Sequence, residues 1–298
     1  MILTLTLNPS IDRTLCVKAL TPGREMRVIS VTACPGGKGV NVARALRALG
    51  VPVTSLTLTD ILDVLPRVNT TVIDQKGCSS RFLEPGPLIA KAQWHRVEAA
   101  VRKAARQAEG VILSGSLPPG VPAEAYARLV RGTRQAFLDT SGPALVAGVH
   151  AAPFLIKPNR EEAEALLGYR IRSRAAVRKA LRSLAGYGIK RVLLSLGEEG
   201  LAGTNGQDFL RAALPSRRGL TVGCGDAALA GFLAAQQLSA GAIHESPLHQ
   251  AFKHDAGFAG ALAMAAAAGA ANVGVAVPGE ISGALVKSLT EKVVIERL

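Results

Sequence analysis

A chain of 298 residues with 48% hydrophobic content has the apolar material for a large core, and 35 basic against 22 acidic residues leave it at +13. That charge suits anionic ligands; with aromatic residues at only 4% and not interleaved with basic ones, phosphorylated metabolites fit it better than the exposed bases of nucleic acid. The patterns for a membrane span, a secretory leader, paired cysteines and a zinc site are all missing, so the expectation is a cytoplasmic protein in which Cys16, Cys34, Cys78 and Cys224 are free thiols.

In chain order, ILTLTL at 2–7 reads as a buried strand. From 13 to 33, short alternating segments joined by turn residues read as antiparallel strands outside the α/β rhythm. CPGGKGVNVARALRALG comes next, with Gly36, Gly37 and Gly39 around Lys38, and a helical pattern from Val40 to Leu49. Its spacing is neither that of a Walker A loop nor G-x-G-x-x-G. Glycines there permit close backbone approach to a ligand, Lys38 offers charge to a phosphate, and Asn41 offers hydrogen bonds to sugar hydroxyls.

After a strand at 53–58, the link TDILDVLPR has only nine residues, too few for a parallel crossover with its helix. A second alternating stretch at 67–83 joins 13–33 as a candidate small sheet covering a site. Downstream, strand-like runs at 110–115, 135–139, 153–157 and 191–196 alternate with helical patterns at 92–107, 122–131 and 174–186. This rhythm predicts an α/β fold, a mostly parallel central sheet with helices on both faces, spanning 1–298 as one unit with a small antiparallel β lid. Alanine-rich stretches at 225–238 and 248–271 read as two long helices on one sheet face.

The chemistry concentrates in TVGCGDAALAG at 221–231. Small residues running into a helix let backbone N–H groups converge on one point that the helix dipole also favours, making an anion hole of Gly223, Cys224 and Gly225. Asp226, in the first turn, is placed to accept a proton from a hydroxyl held beside that hole. The plain alternative is that Asp226 is a helix cap.

These segments, together with TLTLNPSIDRT (4–14), PGGKGVNVARAL (35–46), SGSLPPGVP (114–122), FLDTSGPAL (137–145), FLIKPNREE (154–162) and LSLGEEG (194–200), resemble in this order the ribokinase-like (PfkB) carbohydrate kinases, nearest to the 1-phosphofructokinase and tagatose-6-phosphate kinase branch. The resemblance implies ATP- and Mg2+-dependent phosphorylation of a phosphosugar, fructose 1-phosphate first, with tagatose 6-phosphate or fructose 6-phosphate as alternatives. A non-catalytic sugar-phosphate or nucleotide binder descended from such a kinase is the other reading, and a homodimer is compatible with either. By resemblance, Asp226 is the base and Gly223 to Gly225 the hole; Asp12, Gly36, Gly37, Lys38 and Asn41 hold the sugar. Arg67 binds its existing phosphate, with Arg24 or Arg27 as candidate partners. Asn159 and Glu162 match an N-x-x-E that organises magnesium, while Ser195, Gly197 and Asn272 match nucleotide-side positions. The chain departs from the pattern at Pro66, Leu220, Cys224 and Ala227, and in the short link at 59–67.

Overall fold

Alternate residues of each central strand feed two different cores, and this two-sidedness organises the molecule. The computed structural model describes residues 1–239 and 257–298, apart from Ser216 and Arg218. Strands are numbered along the chain. The strands β1 (Ile2–Thr6), β4 (Val53–Thr57), β7 (Gly110–Ser114), β8 (Ala136–Asp139), β9 (Leu155–Ile156) and β10 (Arg191–Ser195) run parallel, in the spatial order β4-β1-β7-β8-β9-β10. Along them Leu3, Leu5, Val111, Leu113, Leu138, Ile156, Val192 and Leu194 enter one core, and Ile2, Ile112, Phe137, Leu155 and Leu193 the other. A strand with both faces covered must be apolar throughout, which is why these runs lack a polar alternation.

The first core is closed by helices α2 (Lys91–Ala105), α3 (Ala125–Arg131), α4 (Gly142–Val149), α5 (Arg160–Leu167) and α6 (Arg174–Ala185). The second is closed by α1 (Lys38–Ala48), α7 (Cys224–Ser239), α8 (Phe258–Ala271) and α9 (Gly283–Thr290). The predicted helix at 248–271 is α8 in its second part; 248–256 lie outside the described residues. Beyond β10 the sheet continues antiparallel through β11 (Leu201–Thr204), β12 (Phe209–Ala213) and β13 (Val294–Arg297). Small residues bring α7 and α8 close together: a β-carbon on Gly231 would lie 2.7 Å from the Ala268 β-carbon. This contact fixes where the first turn of α7 sits.

A second sheet, ordered β3-β2-β5-β6, is built from β2 (Ser10–Val17), β3 (Val28–Gly36), β5 (Arg67–Asp74) and β6 (Ser79–Leu83). Its outer pairings are antiparallel as expected, but the central pair β2·β5 is parallel. The reason is inherited: β1 runs on into β2 and β4 into β5, so two parallel neighbours of the main sheet leave it side by side in one direction. No crossover is needed, and the short link carries a single 3-10 turn, Leu58–Asp60, capped by Asp60 accepting from the Thr57 amide at 2.7 Å. Leu58 and Leu62 anchor it in the core, and β4 is left as the sheet edge.

Candidate active site

Parallel strands present all their carboxyl ends on one side, so residues that follow them meet there whatever their distance in sequence. Asp139 ends β8 and Lys157 follows β9; Lys38 opens α1, and Asp226 lies in the first turn of α7. Lys38 Nζ stands 2.9 Å from Asp139 Oδ1 and Lys157 Nζ 3.1 Å from Asp139 Oδ2. Asp139 is fully buried and the Lys157 side chain only 5% exposed, whereas that of Lys38 is 37% exposed toward the cavity. Asp226, also buried, accepts a hydrogen bond at 2.9 Å from Asn41 Nδ2. The helix-cap alternative fails on this geometry, because Asp226 is inside the helix and its carboxylate faces another helix.

The electrostatics follow from the arrangement. Burial pushes Asp226 up to about 6; the nearby Asp139 charge adds to this, while Lys38, Asn41 and Lys157 oppose it. For Asp139, burial works against the charged form, but Lys157 and Lys38 prevail and hold it below the usual carboxylate range. Lys38 is likewise disfavoured by burial, yet the carboxylates of Asp139, Asp226 and Glu162 keep it above the ordinary lysine range. The result is a base that is ionised at neutral pH yet retains appreciable proton affinity, beside fixed positive charge.

At the candidate hole of Gly223, Cys224 and Gly225, one amide is already engaged. Gly223 has φ +80°, and the amides of Gly225 and Asp226 have no acceptor among the described residues. The Cys224 amide is instead turned into the loop, donating to Thr221 O at 3.2 Å, so Asp226 N–H takes the place assigned to it. A β-carbon on Gly225 would come 3.0 Å from Lys157 Nζ, which puts that cation at the hole. A β-carbon on Gly223 would lie 2.6 Å from Pro278 Cβ. Gly223→Ala is therefore expected to lower kcat about a hundredfold, the scale of a lost oxyanion-type donor, and to lower the melting temperature; steady-state kinetics and thermal melts check both.

Under the lid, Asp12 and Asn69 are partners in the β2·β5 register and Arg67 pairs with Ser10, so one lid face carries all four. Asp12 Oδ1 accepts from Ser10 Oγ at 2.7 Å and from Asn69 Nδ2 at 3.0 Å. Its carboxylate lies over Gly36, where a β-carbon would approach within 2.2 Å. Arg67 Nη1 donates to Glu84 O at 2.8 Å, and Arg67 Nε is buried without an acceptor among the described residues. Burial, with Arg81 adding to it and Asp12 opposing, pulls Arg67 below its ordinary range. Arg24 and Arg27 are exposed and do not line the cavity that Arg67 lines, whereas Lys76 and Arg81 of the β5–β6 hairpin do. Gly37, at φ +113°, lets the chain turn into α1 and present Lys38 and Asn41.

One cavity of about 1190 Å³ joins these groups to Ser195, Gly197, Asn159 and Glu162. Asn159 and Glu162 form a capping box for α5: Asn159 Oδ1 accepts from Glu162 N at 2.8 Å and Glu162 Oε2 from Asn159 N at 2.9 Å. Asn159 Oδ1 is thus engaged at the start of α5, which leaves the second carboxylate oxygen of Glu162 as the freer candidate for a metal. No cluster of three or more metal-ligating side chains occurs among the described residues. A single carboxylate beside a phosphate site fits Mg2+, which keeps most of its waters and borrows phosphate oxygens. Asn272, placed on the nucleotide side from sequence, is fully buried beside the loop, donating to Val222 O at 2.7 Å and accepting from Gly279 N at 2.7 Å, and it does not line the cavity.

Sequence reasoning passed over Asp139, Lys157 and Asn69. Asp139 and Lys157 stand in FLDTSGPAL and FLIKPNREE as lone charges closing apolar strands, which is the available signal; Asn69 lies in the alternating stretch at 67–83 with nothing to mark it.

Among the described residues no helix is long and apolar enough to cross a membrane. The model of the pfkB family carbohydrate kinases matches residues 66–280. A 1-phosphofructokinase of Rhodobacter capsulatus is 34% identical over 84% of this chain and 88% of its own length. One from Xanthomonas campestris pv. campestris is 33% identical over 78% and 83%. The tetrameric inhibited form of phosphofructokinase-2 from Escherichia coli superposes with a TM-score of 0.81 at 26% identity, covering 97% of this chain and 98% of that one. The buried carboxylate at a glycine-lined helix start, the cation cluster beside it and the lid above it are thus found in a chain that belongs to the pfkB family of carbohydrate kinases.

Proposed function

We propose that this kinase transfers the γ-phosphoryl group of ATP to a hydroxyl of a phosphorylated ketohexose, fructose 1-phosphate before others, giving fructose 1,6-bisphosphate. The observation that carries the reading is a single cavity with a base, Asp226, at one end of a cation cluster and an arginine-bearing lid facing it. Two curated relatives above 30% identity are 1-phosphofructokinases, which supports the choice of sugar.

In this reading Asp12 and Asn69 orient the sugar hydroxyls from above, and Arg67 with Arg81 takes the phosphate the sugar already carries. Asp226 removes the proton of the acceptor hydroxyl as its oxygen bonds to the γ-phosphorus and the bond to the β–γ bridging oxygen breaks, releasing ADP. Charge moving onto the transferring group is met by the amides of Gly223, Gly225 and Asp226, by Lys157 and by Lys38. Glu162 would hold Mg2+, which would supply further neutralisation of the nucleotide phosphates. Ser195 and Gly197 border the nucleotide end of the cavity. Phosphoryl transfer asks for positioning and fixed charge more than covalent chemistry, and this site offers both.

A steady-state panel of fructose 1-phosphate, fructose 6-phosphate, tagatose 6-phosphate, fructose and ribose tests the proposal; the highest kcat/KM belongs to fructose 1-phosphate. Preference for an unphosphorylated sugar overturns it. Arg67→Ala is expected to raise KM for the phosphosugar at least tenfold while KM for ATP stays put, since a charge-assisted contact to phosphate is lost in ground and transition states alike.

A further inference from the structure

Arg44 is a cation with no carboxylate paired to it among the described residues. Half-buried on α1, it donates Nη1 to Asn41 Oδ1 at 3.3 Å and, in a tight contact, to Pro278 O; Nη2 donates to Pro35 O at 2.7 Å. All three acceptors are neutral and come from separate parts of the molecule. Asn41 lies one turn back on the same helix, Pro35 is the penultimate residue of lid strand β3, and Pro278 belongs to the segment packed against Gly223. An ionised guanidinium spent on three carbonyls binds no acid; it sets their positions.

We propose that Arg44 is a positioning residue for the transfer reaction: it fixes the Asn41 side-chain amide so that its N–H points at Asp226, and it ties the lid strand and the Pro278 segment to α1. The inference rests on the reading of Asp226 as the base.

The argument is one of donors and acceptors. Arginine donates and never accepts, so the atom of Asn41 facing Arg44 is the carbonyl oxygen, and the amide nitrogen is left for Asp226 Oδ2 at 2.9 Å. Without Arg44 the amide is free to turn, and its oxygen would then face a carboxylate, which neither group tolerates. A hydrogen bond donated to a carboxylate favours the charged form. Its loss weakens Asp226 as an ionised base and shifts the pH at which it becomes active. The other groups facing Asp226 are Asp139 from β8, Lys38 from α1, Lys157 after β9 and Cys224 on its own helix; Arg44 contacts none of them.

The test is the acid limb of the kcat–pH profile, whose position does not depend on how much of a preparation is folded. Arg44→Gln is expected to move the limb upward by about half a unit to one unit, the scale of one lost hydrogen bond to a carboxylate. Arg44→Lys, which keeps the charge but loses the fork, moves it in the same direction by less. In an Asn41→Ala background, already shifted, adding Arg44→Gln produces no further movement, because Arg44 acts through Asn41. A limb that coincides with wild type in Arg44→Gln overturns the inference. A further shift in the double variant overturns it as well, since a direct effect of charge would persist without Asn41. Asp226→Asn with near-normal kcat removes the base on which the inference stands; loss of kcat there with an unmoved limb in Arg44→Gln sinks the role of Arg44 alone.

Discussion

Asp226→Asn lowers kcat by roughly two to four orders of magnitude, the usual scale for loss of a general base, and leaves both substrate KM values near their wild-type levels. The substitution keeps the shape of the side chain, and its amide oxygen still accepts from Asn41. The hole amides belong to the backbone, so they stay where α7 puts them. What disappears is the proton acceptor alone. A second consequence concerns stability. The native pKa of Asp226 is raised to about 6 by burial first and Asp139 second, so the wild type carries an unfavourable ionisation above that pH. A group shifted upward contributes stability fully below its unfolded value, near 3.9, and loses it as pH rises through 6. The asparagine variant therefore melts higher than wild type at pH 8, and the difference shrinks as the pH falls below 6. A variant both inactive and more stable is the signature of a strained functional charge.

Asp139→Asn has the largest expected effect on stability. Asp139 is wholly buried between two lysines, and Lys157 is almost as buried as its partner. Removing one charge of such a set leaves the other uncompensated in the interior, which costs about 3–5 kcal/mol. Thermal or urea unfolding at pH 7.5 reads this directly. The contribution is one that a depressed carboxylate supplies at neutral pH and loses as pH falls through its native value. The difference between variant and wild type accordingly closes under acid conditions. The same variant takes away the like charge that pushes Asp226 upward and frees Lys38 and Lys157 to face it. In folded Asp139→Asn the acid limb of kcat therefore moves to lower pH, opposite in sign to the shift expected for Arg44→Gln.

The central sheet and its two helical layers were legible because apolar strands alternate with amphipathic helices, and each signal lies within one segment. The lid strands were legible for the same reason, but their central pairing was not: whether β2 and β5 run parallel depends on β1 and β4 being neighbours, which no local pattern states. The Asn205–Gly206 turn between β11 and β12 is a strong hairpin signal, passed over because LAGT at 201–204 is too small and plain to read as a strand. Asp226, Lys38 and Asn41 stood out through the glycines around them. Asp139 and Lys157 did not, since a single charge at the end of a strand gains its meaning only from the strand beside it. Asn159 and Glu162 carry a second meaning that their spacing also encodes, since the same pair caps α5. Asn272, the C-cap of an alanine-rich helix, braces the loop before α7 through Val222 and Gly279, a role that depends on contacts distant in sequence.

The most direct measurement is the single-turnover rate of phosphoryl transfer from ATP to fructose 1-phosphate, followed from pH 5 to pH 9 in wild type and in Asp226→Asn. With one buried carboxylate as the base, the wild-type rate rises about tenfold per unit below pH 6 and levels off above it, while the variant is slow and lacks that limb. A wild-type rate that ignores pH across this range, or an asparagine variant that transfers phosphate at the wild-type plateau, would contradict the account.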